Sequence, residues 1–113
     1  MQQDPTVLLV EDEPALRTGT EQFLRQRGFT VLTAVSGEKA LEKFARADVI
    51  ILDIMLPGMS GIETLHQIRQ TSDVPVLMLT ALHDEPTQIT SFDELADDYI
   101  SKPFSLVILE KRL

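Results

Sequence analysis

A chain of 113 residues with 43% hydrophobic and 25% charged side chains has the size and composition of one globular domain, which excludes a disordered or collagen-like chain. Cysteine is absent, so disulfide frameworks, thiolate metal sites and cysteine nucleophiles are excluded together. Ten basic against eighteen acidic side chains give a net charge of −8, which argues against direct grip on nucleic acid. The most apolar run, Asp48 to Leu56, is too short to span a bilayer and carries charge, so no membrane contact is expected. The start, MQQDPT, lacks the basic and apolar stretches of a signal peptide, and the expected compartment is the cytoplasm.

Taken in chain order, short apolar runs alternate with amphipathic stretches. Val7 to Val10 reads as a buried strand, continuous and branched. Pro14 suits the first position of a helix whose face holds Leu16, Phe23 and Leu24, and Gly28 stops it. Thr30 to Ala34 is a second strand, after which Ser36 caps a short helix bearing Leu41 and Phe44. Asp48 to Asp53 gives the strongest strand pattern. A loop with Pro57, Gly58 and Gly61 follows, and Ser60 and Glu63 have capping-box spacing ahead of Ile62, Leu65 and Ile68. Val76 to Leu79 is a fourth strand, Thr87 to Leu95 a weaker helix containing Thr87, Thr90 and Ser91, and Tyr99 to Ser101 a fifth strand. A fifth helix begins at Leu106 and is cut off at Leu113. The pattern predicts an α/β fold: a doubly wound, five-stranded parallel sheet.

In such sheets ligands sit beyond the carboxyl ends of the strands. The first strand ends in Glu11, Asp12 and Glu13, the third in Asp53, the fourth in Thr80, and the fifth runs into Lys102. Singly, each is an ordinary turn residue or solvated side chain. Together they bring three or four carboxylates, a hydroxyl and an ammonium to one crevice. Clustered carboxylates must protonate, pair or bind a cation, and oxygen ligands alone favour a hard ion such as Mg²⁺. No glycine-rich phosphate loop and no nucleophile elbow is present. His66 in a helix and His83 in a loop read as solvent-facing.

Val10 to Glu13 (VEDE), Ile51 to Gly61 (ILDIMLPGMSG), Leu79 to Ala81 (LTA) and Asp97 to Phe104 (DDYISKPF) resemble the receiver domain of bacterial two-component response regulators. The resemblance covers residues 1–113 as one domain, and DDYISKPF is most similar to the branch carrying a C-terminal winged-helix DNA-binding domain. It implies a flavodoxin-like fold in which Asp53 is the phosphoacceptor for a phosphohistidine on a sensor histidine kinase. It implies Mg²⁺ on Asp12, Asp53 and the carbonyl of Met55, with Glu11 binding through water. Lys102 would neutralise phosphoryl charge, Thr80 would hydrogen-bond the phosphoryl group, and Tyr99 would turn inward behind Thr80.

The resemblance also implies a cis Lys102–Pro103 peptide and pairing through the fourth helix, fifth strand and fifth helix. Asp98 and Arg112 match one charge pair of that face, and Asp97 lies beside them. Gln88 and Ile108 occupy the positions of another, leaving Phe92 and Val107 as apolar contacts, so a monomer or weak homodimer is expected. Met55 and Leu82 would flank the approach of a hydrolytic water that neither can bind, which predicts slow loss of the phosphoryl group. Leu95 stands where the family usually has a glycine at positive φ. The effector domain that would contact DNA is expected to be missing. A phosphohydrolase acting through an aspartyl phosphate is the alternative, but it typically needs an aspartate where this chain has Met55.

Overall fold

Continuous apolar strands need cover on both faces, and only intervening helices can supply it in a chain of this length. The computed structural model describes residues 4–81, 96–102 and 104–113, with residues 80 and 81 described by backbone alone. Strands β1 (Thr6–Val10), β2 (Thr30–Ala34), β3 (Val49–Asp53), β4 (Val76–Ala81) and β5 (Asp98–Lys102) form one parallel sheet in the order β2-β1-β3-β4-β5. Between them run α1 (Pro14–Gln26), α2 (Gly37–Leu41) and α3 (Gly61–Arg69), and Leu106–Arg112 forms a C-terminal helix.

Alternation along each strand divides the core into two layers. Val7, Leu9, Ile51, Leu77 and Leu79 face Leu24 of α1 and Leu109 of the C-terminal helix. Leu8, Val10, Ile50, Leu52 and Met78 face Ala40 of α2 and Leu65 and Ile68 of α3. The chain therefore leaves β1 toward one side and β3 toward the other, and the crevice between their carboxyl ends is where a doubly wound sheet binds ligands.

Local chemistry explains most boundaries. Pro14 opens α1, and Gly28, at φ 97°, takes the left-handed turn that ends it. Ser36 Oγ accepts from Lys39 N at 3.1 Å, and Ser60 Oγ from Glu63 N at 3.2 Å, so both serines cap as expected. The second helix is shorter than its apolar spacing predicts. It ends at Leu41, and Phe44–Arg46 forms a separate 3₁₀ turn. Lys43 reaches back to the Thr33 carbonyl at 2.6 Å, and Ala47 is already extended toward β3. The third strand begins at Val49 rather than Asp48, whose carboxylate instead accepts from Thr6 N at 2.7 Å. Strands β4 and β5 run further than expected because their parallel pairing continues to Ala81 and Lys102. The expected fourth helix lies outside the described residues.

Candidate functional site

Three strand ends converge on one ammonium group. Glu11 follows β1 and extends its ladder, its N–H donating to the Ala34 carbonyl at 3.0 Å. Asp53 is the last residue of β3 and Lys102 the last of β5. Lys102 Nζ lies 2.6 Å from Asp53 Oδ2 and 2.9 Å from Glu11 Oε1. Both carboxylates are buried, at 1% exposure for Glu11 and 3% for Asp53. The remaining oxygens are held by backbone: Asp53 Oδ1 accepts from Met55 N at 3.0 Å, and Glu11 Oε2 from Glu13 N at 3.1 Å.

The electrostatics follow from this burial. Desolvation pushes the Glu11 carboxyl up to about 7, against the opposing hydrogen bonds from Lys102 and the Glu13 N–H, and the nearby Asp53 charge adds to the rise. Burial alone would draw the Lys102 ammonium down. The hydrogen bonds and charges of Asp53 and Glu11 outweigh that effect, so its pKa is held above the usual lysine value. Lys102 thus stays charged at neutral pH.

Asp12 completes the cluster from the solvent side. Glu11, Asp12 and Asp53 each offer a carboxylate oxygen, all within 4.8 Å of one another. Oxygen donors with one exposed member suit a hard cation that keeps several waters, so the residues present fit Mg²⁺. The Met55 carbonyl accepts no hydrogen bond among the described residues, and the Met55 side chain is exposed. Glu13 does not join the cluster, so three of the four strand-end carboxylates meet: it is the exposed N-cap of α1.

Two further residues hold the site in place: Arg17, which no motif singled out, and Gly61, the last residue of the ILDIMLPGMSG motif, for which the sequence predicts no role at the site. Arg17 Nη1, on α1, donates to the carbonyls of Glu11 and Asp12 at 3.0 and 3.3 Å. Gly61 opens α3 directly beneath the phosphoacceptor candidate. Its N–H donates to the Ile54 carbonyl at 2.9 Å, and a Cβ there would meet the Asp53 carbonyl oxygen and lie 2.7 Å from Ile54 Cα.

The other expected residues are more dispersed. Thr80 pairs in register with Ser101, one step from the Ala81–Lys102 pair. Tyr99 pairs with Met78 and its side chain is exposed. Asp97 accepts from Val76 N at 2.8 Å and from Arg69 Nη2 at 3.0 Å, tying the start of β4 to the end of α3. Asp98 pairs with Arg112 of the same chain at 2.7 Å. Val107 and Ile108 are exposed on the C-terminal helix, and His66 is exposed on α3. Leu82, His83, Gln88, Phe92, Leu95 and Pro103 lie outside the described residues, and with them the expected cis peptide.

A doubly wound sheet whose crevice joins an acidic cluster to a lysine defines a narrow class of protein. Residues 7–113 match the response regulator receiver domain, and the chain belongs to that family. It is 45% identical over 109 residues to the response regulator RR06 of Streptococcus pneumoniae, covering 95% of this chain and 50% of that protein. It is 40% identical over 111 residues to the transcriptional regulatory protein AfsQ1 of Streptomyces coelicolor, covering 96% and 49%. The chain thus spans about half the length of these curated relatives. A putative response regulator from Chloroflexus aurantiacus superposes with a TM-score of 0.88 at 36% identity, covering 97% of this chain and 94% of that one. The chemotaxis protein CheY4 of Vibrio cholerae gives 0.87 at 32% identity, covering 96% and 95%. No helix among the described residues is long and apolar enough to cross a membrane.

Proposed function

We propose that residues 1–113 form the phosphoacceptor domain of a longer cytoplasmic regulator, and that a sensor histidine kinase donates the phosphoryl group to Asp53. An Asp53 carboxylate oxygen attacks phosphorus, the P–O bond forms as the P–N bond to the kinase imidazole breaks, and the imidazole leaves neutral after taking a proton. The observation that carries this reading is the Lys102 ammonium, held between the Asp53 and Glu11 carboxylates. A cation already in place meets the charge of the incoming phosphoryl oxygens without reorganisation.

Mg²⁺ would be held by Asp12, Asp53 and the Met55 carbonyl, with Glu11 through water, and when bound it neutralises the carboxylates and the phosphoryl oxygens. Thr80 then hydrogen-bonds the phosphoryl group and Tyr99 moves inward, which biases the face built from β5 and the C-terminal helix. That face carries Asp97, Asp98, Val107, Ile108 and Arg112 and supports at most a weak homodimer. Output is transcriptional, through a DNA-binding domain elsewhere in the full protein. The relatives favour this, AfsQ1 being a transcriptional regulatory protein, and the charge of −8 disfavours DNA contact by this domain itself. Hydrolysis of the acyl phosphate is slow because Met55 offers an incoming water no hydrogen bond.

Acetyl phosphate with Mg²⁺ tests the reading. Intact-mass measurement should show one added phosphoryl group per chain and none in Asp53→Asn. An adduct that persists in the variant moves the acceptor elsewhere, and sustained multiple turnover identifies a phosphohydrolase instead.

A further inference from the structure

Asp12 is the least tethered of the clustered carboxylates. Its side chain is exposed, and among the described residues no donor reaches it. The direction in which it enters the crevice is therefore set by the backbone that carries it. That backbone has little support from the helix it precedes. Glu13 caps α1 without a side-chain hydrogen bond, and Pro14 has no N–H to offer. Arg17, one turn into α1, closes the loop instead. A single guanidinium nitrogen donates to the Glu11 carbonyl at 3.0 Å and the Asp12 carbonyl at 3.3 Å. These carbonyls lie on either side of the Asp12 Cα, so the clamp fixes both peptides from which the Asp12 side chain projects.

We propose that Arg17 is a positioning residue of the acidic crevice, its guanidinium clamping the Glu11 and Asp12 carbonyls so that the Asp12 carboxylate is pre-set to receive a divalent cation. The inference rests on the phosphoacceptor reading, which makes the cluster a cation site. Two effects of Arg17 on that site have opposite signs. As a positive charge it repels a second cation, so its loss would tighten binding. As a clamp it removes freedom that Asp12 would otherwise lose on binding, so its loss weakens binding. The clamp is the larger effect, because the guanidinium is directed at backbone carbonyls rather than into the crevice.

Calorimetric titration of MgCl₂ into the parent, Arg17→Met and Arg17→Lys, beside urea unfolding of each, separates the two. Arg17→Met keeps an unbranched stem and should lose affinity by about tenfold, within the range seen when outer partners of metal ligands are removed. Arg17→Lys keeps the charge without the planar guanidinium and should fall between the other two. Unchanged or tighter Mg²⁺ binding by folded Arg17→Met would overturn the proposal, as would a shift in unfolding midpoint with no change in affinity. Should Arg17→Met fail to fold, Arg17→Lys decides at constant charge: weaker binding supports the clamp and parental affinity refutes it. A parent that does not bind Mg²⁺ overturns the phosphoacceptor reading and this proposal with it, whereas a parent that binds beside indifferent variants overturns the proposal alone.

Discussion

Thr20 sits at 2% exposure on the inner side of α1, and its hydroxyl has no hydrogen-bond partner among the described residues. A buried hydroxyl without a partner carries a desolvation penalty of roughly 1–3 kcal/mol. Valine has nearly the same shape and similar helix propensity. Thr20→Val should therefore raise stability by about 1 kcal/mol, seen as a higher urea midpoint with phosphoryl uptake unchanged. A lower midpoint would mean that the hydroxyl is satisfied after all. Gly61 is the opposite case, a residue whose value lies in what it lacks. Its missing Cβ leaves room for the Asp53 carbonyl and Ile54 Cα, so Gly61→Ala forces the phosphoacceptor peptide to shift. Overpacking of this kind costs roughly 1–3 kcal/mol. Uptake from acetyl phosphate should fall as well, because a shift of this peptide disturbs the 2.6 Å contact of Asp53 with Lys102. Loss of stability with full uptake would show that the close approach serves packing alone.

The C-terminal helix is tied to β5 by one surface pair, Arg112 Nη1 to Asp98 Oδ2 at 2.7 Å. The Arg112 hydrogen bond, with a smaller contribution from the Tyr99 N–H, holds the Asp98 carboxyl below its ordinary 3.8 against modest desolvation. A carboxyl lowered on folding adds stability above its unfolded value, and that contribution is lost as pH falls through the lowered one. Exposed pairs are worth only about 0–1 kcal/mol. Asp98→Asn should thus cost no more than this at pH 7 in low salt, less in high salt, and nothing once acid has protonated the parent. A cost that persists in strong acid would assign Asp98 a role other than charge. At this scale the sequence was most legible where periodicity or a cap spoke alone. Val7 to Val10 could only be a buried strand, and Ser36 and Ser60 announced their helices. The Leu41 and Phe44 spacing misled because it is indifferent to Lys43, which folds back onto the Thr33 carbonyl and ends α2 early. Glu11, Asp53 and Lys102 were readable as strand-end residues once the sheet was parallel. Arg17 was not, since a basic residue on a helix gives no sign that its partners are carbonyls of the preceding loop.

Charge at the scale of the whole molecule is uneven as well as negative. The net charge is −8, and three carboxylates meet beyond the carboxyl ends of the strands, two of them, Glu11 and Asp53, paired with Lys102. Removing one member of a buried ion pair costs roughly 3–5 kcal/mol, because the charge left behind has neither water nor partner. The Lys102 side chain is 23% exposed, which places Lys102→Met toward the lower end of that range. A cation that binds only the folded chain restores stability by mass action, in proportion to the logarithm of its concentration over its dissociation constant. Lys102 and such a cation draw on the same Asp53 and Glu11 carboxylates, so deleting the ammonium should tighten Mg²⁺ binding even as it weakens the fold. In EDTA, Lys102→Met is expected to melt well below the parent. In millimolar Mg²⁺ the gap should narrow, because the variant gains more in Tm than the parent does. Phosphoryl uptake should stay low in both conditions, since Mg²⁺ replaces the charge of Lys102 but not its place beside the incoming oxygens. Equal Mg²⁺ increments in parent and variant would show that ammonium and metal do not share those carboxylates, and the electrostatic account of the crevice would then need a second cation site.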